Sequence, residues 1–430
     1  MRVFKFGGAS VKNAEGFRNV AKIIARYSEN HPLAVVVSAI GKTTNQLEDV
    51  VETKFISPTE SIAKLNKIKE HHHQIILELF QELPQELEIH IQEHFVEAEW
   101  ILEEMREMKY DYVYDQVVSI GELVSSRILT AWLDHEKIDV EWCDARDILV
   151  TNDTYREGRV NWEITNQRIK QSMEPRLNEG HILVTQGFIA STLENNTTTL
   201  GREGSDYTAA ILASALGADG MYIWKDVPGV LTADPDLFVN VTKLDRLSYR
   251  EAIEMTYYGC KVIHPKTIQP LKLKGIPLYV KSFIQPADEG TLISGAADLE
   301  YPPIVVLESK QALLHFASLD LSFIAEYHLA HLFELFDKFR IKVNMMRNSA
   351  ISFSVCVNND ISRIQQLVQE VESMFKVVVD QDLELLTVRH YQDSMLAKLL
   401  EEKVILLEER TRNTVQLVVK QALPILPRKK

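Results

Sequence analysis

Residues 1–38 have the sequence MRVFKFGGASVKNAEGFRNVAKIIARYSENHPLAVVVS, in which two apolar runs flank an amphipathic segment. Residues 1–6 and 33–38 predict buried strands, because apolar runs without strict alternation are typical of a parallel sheet covered on both faces. Residues 14–27 carry apolar side chains at helical spacing and predict a helix between these strands. The order strand, helix, strand predicts an α/β fold with a mostly parallel sheet.

Further apolar runs of the same kind follow in the N-terminal two thirds of the chain, at residues 140–144, 181–186, 220–224 and 277–280. Residues 57–110 interrupt them with 12 acidic and 5 basic residues, a balance of −7. Pro84 divides this segment into two helices, because proline lacks the amide hydrogen and clashes with the preceding turn. We therefore predict an acidic helical hairpin, inserted in the α/β domain or laid against it.

Three adjacent histidines, His71, His72 and His73, lie on the first of these helices. Consecutive residues of a helix point in different directions, so the three side chains do not converge on one metal ion. We predict a solvated helix face here rather than a metal site.

The pattern changes to smaller units after residue 300, where glycines and prolines mark a boundary. Predicted strands at 312–318, 341–346, 351–357 and 376–379 and helices at 325–339 and 362–374 follow the βαββαβ order of a ferredoxin-like sandwich. Residues 383–420 repeat its first half, strand, helix, strand, strand. We expect residues 304–307 to complete a second sheet from the other side of the first unit.

The charge balance is 47 basic against 61 acidic residues, or −14, which argues against nucleic-acid and anionic membrane partners. The apolar stretch 33–40 is far shorter than the ~18 residues of a membrane-spanning helix, and residues 1–30 lack the pattern of a signal peptide.

Cys143, Cys260 and Cys356 are too far apart for a disulfide framework or a zinc cluster. A cytoplasmic protein with reduced thiols is expected.

A glycine pair directly after the first predicted strand is a candidate phosphate-binding loop. Gly7 and Gly8 let backbone amides approach an anion, and Lys5 adds a positive charge. An ordinary turn at the end of a strand explains the same glycines about equally well.

The segment TTTLGREGSDYT, residues 197–208, is the second candidate anion site, at the start of an alanine-rich helix. Unpaired amides and the helix dipole favour an anion there, and Arg202 has the geometry to clamp a carboxylate. Helix capping explains Ser205 or Asp206 alone, but it leaves the arginine and the glycines unexplained.

Seven blocks of sequence together resemble the aspartokinase family, in the family's order and over about 280 residues: KFGGAS (5–10), SAIGKTTNQL (38–47), VSIGELVSS (118–126), TQGFIA (185–190), TTTLGREGSDYTAA (197–210), IWKDVPGVLTADP (223–235) and YGCKVIHPKT (258–267). The resemblance implies an amino-acid-kinase-like three-layer αβα sandwich at residues 1–297, with the 57–110 hairpin as an insertion. It implies a regulatory and dimerisation region of ACT type at 303–422. The first ACT unit would span about 311–380, and a partial second unit would combine 303–309 with 381–422.

The implied activity is phosphorylation of L-aspartate by ATP to 4-phospho-L-aspartate, which opens the route to lysine, threonine, methionine and diaminopimelate. No general base is needed, because a carboxylate is already ionised at neutral pH. Catalysis is then a matter of alignment and charge neutralisation. Mg²⁺ is expected to arrive with ATP, held by phosphates and water rather than by a metal site of the chain.

The resemblance also assigns roles to residues at matching positions. The catalytic residues are Lys5 and Asp206; the substrate-binding residues are Thr44, Glu122, Arg202, Gly204 and Ser205; the nucleotide-binding residues are Lys5, Phe6, Gly7, Gly8, Lys225, Asp226 and Lys261. Arg202 would hold a carboxylate of aspartate and Glu122 its ammonium group. Asp206 would orient Lys5 and the substrate.

Some positions depart from the family's pattern: Ala9, Glu203, Lys225, Leu231 and Asp236 replace residues that are common near the phosphates or the nucleotide. In the ACT region Tyr327, Asn344 and Ala350 stand where lysine-sensitive members hold the effector. A buried ammonium group would lack its anionic partners there, so we expect no lysine inhibition through that site. The effector, if any, is left open, and the ACT region is expected to form a homodimer or a dimer of dimers.

Two other functions fit part of the pattern. A kinase for another carboxylate or carbamate, such as glutamate, would share the fold, but the blocks around Glu122 and Arg202 resemble aspartokinase. A catalytically silent amino-acid-binding subunit would explain Glu203 and Ala9, but it would not explain Lys5 and Asp206.

Overall fold

The computed structural model describes residues 1–28, 31–104, 108–260, 262–296, 299–319 and 322–421. The chain divides into two compact units. The first comprises Met1–Val230, Lys243–Thr256 and Lys261–Leu299, and the second comprises Leu231–Thr242, Tyr257–Cys260 and Glu300–Lys430.

The first unit is built on a mostly parallel sheet. Its strands are β1 (Arg2–Phe6), β2 (Leu33–Val37), β3 (Val140–Cys143), β4 (Ile182–Gln186), β5 (Ile189–Ser191), β6 (Thr197–Thr199), β7 (Gly220–Lys225), β8 (Arg246–Ser248), β9 (Leu278–Ser282) and β10 (Thr291–Ser294). The main sheet has the order β3-β4-β2-β1-β7-β9-β10-β8, and β5 pairs with β6 separately. The pair β9–β10 is antiparallel, while β1 and β2 lie parallel to their neighbours. This confirms the α/β prediction and its strands.

The helices of the first unit are α1 (Ala14–Ser28), α2 (Thr43–Lys54), α3 (Pro58–Phe80), α4 (Gln85–Glu103), α5 (Tyr110–Val118), α6 (Ile120–His135), α7 (Ala145–Ile148), α8 (Trp162–Ser172), α9 (Glu174–Asn178), α10 (Gly204–Leu216), α11 (Tyr249–Tyr257) and α12 (Pro265–Lys274). Helix α10 packs on β1, β2 and β7, and α8 and α12 pack against it. Helix α6 packs on β2, β3 and β4, and α1 and α4 pack against it. The result is a sandwich of helices, sheet and helices.

The acidic segment forms the helices α3 and α4, which pack together, and Pro84 lies immediately before α4. The prediction of a solvated face is wrong for His72, which is only 1% exposed. Its ring lies 6.0 Å from that of Phe95, and its Nδ1 is 2.7 Å from the Ile68 carbonyl oxygen. Burial lowers the pKa of His72 to about 4, so the neutral ring is part of the hairpin's core.

The second unit contains β11 (Ile304–Ser318), α13 (Glu326–Lys338), β12 (Val343–Asn348), β13 (Ser352–Asn358), α14 (Ile361–Val371), β14 (Phe375–Arg389), α15 (Asp393–Leu399), β15 (Lys403–Arg410) and β16 (Thr414–Gln421). Residues 304–307 pair with Leu386–Arg389 of the second repeat, as predicted, but the second sheet is not separate, because these strands form one antiparallel sheet with the order β12-β13-β11-β14-β16-β15. Strands β11 and β14 each run through both repeats. Lys310 and Asp382, with φ of 56° and 57°, lie at the irregular joints between the repeats.

Candidate active site

The candidate site lies at one edge of the main sheet. Strands β4, β2, β1 and β7 are neighbours in that order and parallel, so the loops that follow them meet at their carboxyl ends. Open parallel sheets bind ligands at this edge. The loops are those that begin at Gly7, Ser38, Gly187 and Asp226, and four of the seven sequence blocks contain them.

A buried ion pair links the first block to the fifth. The Lys5 Nζ atom lies 2.7 Å from the Asp206 Oδ1 atom, and the two side chains are 11% and 3% exposed. Burial alone would raise the pKa of Asp206, but the ammonium groups of Lys5 and Lys225 hold it below its usual value. Asp206 is therefore a carboxylate that fixes the Lys5 ammonium group at the mouth of the Gly7 loop.

Two glycines allow the loops to approach so closely. A Cβ atom on Gly8 would lie 2.6 Å from the Gly41 carbonyl oxygen, and one on Gly187 would lie 2.4 Å from the Ser205 Cβ atom. Real Cβ atoms do not tolerate such contacts, so both positions require glycine. Gly8 thereby joins the loops after β1 and β2, and Gly187 seats the first turn of α10 on the loop after β4.

Glu122, in the first turn of α6, is 2% exposed. Its Oε1 atom accepts a hydrogen bond of 3.2 Å from the Ala39 amide, while its buried Oε2 atom has no hydrogen-bond partner among the described residues. Burial raises the pKa of Glu122 to about 8, although the Ala39 amide and the Lys5 charge oppose the shift. Among the described residues, no cationic side chain forms an ion pair with Glu122, and its second oxygen is left to a ligand.

The start of α10 carries the anion-binding loop predicted from the sequence. Glu203 adopts the left-handed conformation, with φ of 55°, immediately before the helix. Gly204, Ser205 and Asp206 of the first turn are buried, whereas Arg202 is exposed. Burial and then the Asp206 charge raise the pKa of Glu203, and its Oε2 atom has no hydrogen-bond partner in the described part of the chain.

Lys225, at the end of β7, adds a second cation to this edge. Its ammonium group donates a hydrogen bond to the Val262 carbonyl, and its charge lowers the pKa values of both Asp206 and Glu203. Asp226 is exposed on the following loop. Lys261, the third nucleotide-binding residue predicted in this region, lies outside the described residues.

The remaining predicted residues contribute differently. The Phe6 ring is fully buried and stacks on Trp224 at 5.9 Å, so only its backbone faces the loop. Thr44 is half-buried in the first turn of α2. No contact recorded between described side chains joins Thr44, Arg202 or Asp226 to the Lys5–Asp206 pair.

A polar network beside the site was not predicted from the sequence. Asp115 is fully buried and accepts hydrogen bonds from the Arg156 amide and from both the amide and the hydroxyl of Thr199. Arg156 and Thr199 lie 41 and 84 positions after Asp115 in the sequence, so no short motif contains all three residues. The sequence hints at a role only through Thr199, which lies in the TTTLGREGSDYT segment, and through Asp115, which lies shortly before the VSIGELVSS block.

The site offers cations and amides rather than a built-in metal centre. Across the described ranges, no group of three or more His, Cys, Asp or Glu side chains is placed to hold a metal ion. None of the helices described is both long and apolar enough to cross a membrane. Two lysines, an arginine, a helix N-terminus and glycine amides suit a polyanionic ligand, and the buried Glu122 suits a cationic group.

Comparison with known proteins gives consistent matches. Residues 1–282 match the Amino acid kinase family. The chain is 32% identical over 394 residues to the lysine-sensitive aspartokinase 3 of Escherichia coli (strain K12), which covers 89% of this chain and 85% of that protein. The crystal structure of E. coli aspartokinase III with aspartate and ADP (R-state) matches with a TM-score of 0.83 and 29% identity, covering 97% of this chain and 96% of that one. The complex with lysine and aspartate (T-state) matches with a TM-score of 0.81 and 29% identity, covering 97% and 95%.

Proposed function

The chain belongs to the amino acid kinase family and, within it, to the aspartokinases, and from this premise we propose that it transfers the γ-phosphoryl group of ATP to the side-chain carboxylate of L-aspartate. The products are 4-phospho-L-aspartate and ADP. A relative of this fold has been crystallised with aspartate and ADP, which supports both ligands.

The observation that carries the proposal is the buried carboxylate of Glu122. One of its oxygens has no partner among the described residues, and burial raises its pKa to about 8. An uncompensated buried carboxylate is costly, and a cation placed beside it removes the cost. The ammonium group of an amino-acid substrate is such a cation. Arg202 is exposed, and its guanidinium group suits a carboxylate of the same substrate.

The reaction requires one anion to attack another, so the chain's task is neutralisation and alignment. Lys5 contacts the transferring phosphoryl group, and the 2.7 Å contact to Asp206 holds its ammonium group in place. Gly7 and Gly8 donate backbone amides to phosphate oxygens. Lys225 neutralises further charge on the nucleotide, and Asp226 and Lys261 contact it.

Thr44, Gly204 and Ser205 line the aspartate site together with Glu122 and Arg202. The buried first turn of α10 brings the positive end of its helix dipole to this edge of the sheet. Asp206 acts by positioning Lys5 and not as a nucleophile, because its carboxylate is already engaged by that lysine.

Mg²⁺ is proposed to enter with ATP. When bound, it would neutralise phosphate charge during the transfer. The residues present fit a nearby cation, because Glu203 has a buried carboxylate oxygen that lacks a hydrogen-bond partner among the described residues.

The test is a hydroxamate assay with ATP, Mg²⁺ and L-aspartate, because acyl phosphates react with hydroxylamine. We expect product with aspartate, little with glutamate, and losses of about a thousandfold in Lys5→Ala and Asp206→Ala. Lys338→Ala is the matched control, since it breaks an exposed ion pair with Glu370 in the second unit. Folded protein that makes product with neither amino acid would refute the activity and favour the regulatory-subunit alternative.

The remaining assignments are also proposals. Residues 1–297 would form the catalytic domain and residues 303–422 the regulatory and dimerisation region, in a homodimer or dimer of dimers. Lysine is bound by the relative in its T-state crystal, but here Asn344 donates its amide to Gln311 and Asn358 at 2.8 and 2.9 Å. A neutral amide network offers an ammonium group no anionic partner. A cytoplasmic location stays a prediction from the sequence.

A further inference from the structure

Asp115 lies on α5 and is fully buried, yet no ion pair engages its carboxylate within the described part of the chain. Its oxygens accept the Arg156 amide at 2.9 and 3.1 Å, the Thr199 amide at 2.9 Å and the Thr199 hydroxyl at 2.8 Å. One carboxylate therefore ties together three segments that are distant in sequence: α5, the loop at Arg156 and the end of β6.

The segment held by Asp115 leads directly into the proposed substrate loop. Thr199 is followed by Leu200, Gly201 and Arg202, and the Thr199 carbonyl accepts a hydrogen bond of 2.8 Å from the Gly158 amide. A Cβ atom on Gly201 would lie 3.1 Å from the Arg156 carbonyl oxygen. The base of the loop that carries Arg202 is thus packed against the backbone that Asp115 holds.

The Arg156 side chain extends the connection to the second proposed substrate segment. Its guanidinium group lies 4.3 Å from the centre of the Tyr114 ring and forms a 2.9 Å ion pair with Glu48. Glu48 lies on α2, four residues after Thr44, so both are on the same face of one helix. Arg156 also adopts a left-handed backbone with φ of 68°, a conformation that few residues other than glycine adopt.

We infer that Asp115 and Arg156 are positioning residues that set the Arg202 loop against the Thr44 helix, and so govern aspartate binding without touching the substrate. The inference rests on the proposed function of that site. A carboxylate suits this task because it accepts from all three donors at once, whereas an amide would turn a donor towards one of them.

The charge state of Asp115 provides a readout that a purely structural role would not give. Burial raises its pKa to about 6, although the hydrogen bonds from Arg156 and Thr199 lower it. Protonation puts a hydrogen on an oxygen that faces amide donors, which weakens the hold on the loop. The charged and titratable groups that interact with Asp115 are Tyr114 on α5 and Tyr155 and Arg156 on the loop; Glu48 on α2 and Glu122 on α6 interact with Tyr114 beside it.

The experiment measures KM for aspartate, KM for ATP and kcat between about pH 5.5 and 8 in the full chain. In the wild type we expect KM for aspartate to rise as the pH falls through the pKa of Asp115, while KM for ATP stays within about twofold. Asp115→Asn should raise KM for aspartate about tenfold at pH 8, and its KM should show no further rise near pH 6, where Asp115 titrates in the wild type. Asp144→Asn is the matched control, because Asp144 also caps a backbone amide and pairs with an arginine, Arg146.

Glu48→Gln keeps the inference testable if Asp115→Asn does not fold. It removes the ion pair with Arg156 from a side chain that is 35% exposed, and we expect KM for aspartate to rise about threefold with KM for ATP unchanged. An unchanged aspartate KM in a folded Asp115→Asn variant, or equal changes in both KM values, would overturn the inference. A wild type that is inactive with aspartate would instead overturn the proposed function.

Discussion

Replacing Glu122 by glutamine removes a buried charge while it keeps the size of the side chain. The pKa of Glu122 is raised from 4.5 to about 8 in the folded protein, chiefly by burial. Between these values the folded state binds a proton that the unfolded state has released. The contribution of Glu122 to the unfolding free energy of the wild type is therefore fully present below about pH 4.5, and it is lost as the pH rises towards 8 and beyond. Glu122→Gln has no such proton to lose.

The size of the effect follows from the two pKa values. They differ by about 3.5, and each pKa unit is worth about 1.36 kcal/mol, so ionising Glu122 in the folded state costs about 5 kcal/mol in full. Between about pH 5 and pH 9 the wild type should lose about 4 kcal/mol of unfolding free energy through this group. Glu122→Gln should be more stable than the wild type at pH 9 by that amount, relative to their difference at pH 5.

Urea denaturation of both proteins at the two pH values measures this difference. Glu82→Gln, at an exposed turn between α3 and α4, is the matched control and should follow the wild type. Saturating L-aspartate should flatten the wild-type pH dependence, because the substrate ammonium group lowers the pKa of Glu122. Parallel pH profiles of the wild type and Glu122→Gln without ligand would refute the reasoning. Activity should meanwhile fall in Glu122→Gln through a higher KM for aspartate.

Three further predictions address other parts of the molecule. Gly187→Ala should lose about 1–3 kcal/mol of unfolding free energy and at least about tenfold in kcat/KM, because its Cβ would lie 2.4 Å from that of Ser205; wild-type values in urea denaturation and kinetics would contradict this. Lys225→Met should raise KM for ATP about tenfold and leave KM for aspartate within about twofold, and an effect confined to aspartate would move Lys225 out of the nucleotide site. Isothermal titration should detect no micromolar binding of L-lysine, and binding that depends on Asn344 would show that the amide network accepts the effector.

The sequence predicts the fold well where the pattern of residues along a strand agrees with the position of that strand in the sheet. The strands around Lys5 and Val36 are apolar runs that sit in the middle of a parallel sheet, so composition and topology agree. The second unit was predicted less well, because Lys310 and Asp382 look like loop residues between separate strands. Each instead adopts a left-handed backbone at an irregular joint inside a 15-residue strand. Local pattern does not show whether such a joint ends a strand or only bends it.

The residues of the candidate site likewise fall into those that the sequence predicts and those that it does not. Lys5 and Asp206 belong to contiguous blocks, and their ion pair follows from adjacent loops at one sheet edge. Asp115, Arg156 and Thr199 meet through hydrogen bonds that span 41 and 84 residues. Thr199 lies in the 197–208 segment that the sequence indicates as an anion site, but Asp115 and Arg156 lie outside all seven blocks. Contacts of this range depend on the packing of α5 against α2, α4 and β6, which residue spacing alone does not specify.

Glu203 and Lys225 both depart from the family's pattern, and the charge of the second offsets the charge of the first. Glu203 brings a negative charge to the loop before α10, and Lys225 brings a positive charge to the end of β7. The Lys225 charge lowers the pKa values of both Glu203 and Asp206, so the lysine compensates for the extra carboxylate at the place where it is added. Burial nevertheless leaves the pKa of Glu203 raised, and one of its oxygens lacks a partner among the described residues. The edge of the sheet therefore stays receptive to one more cation, which fits a nucleotide that arrives with its metal ion.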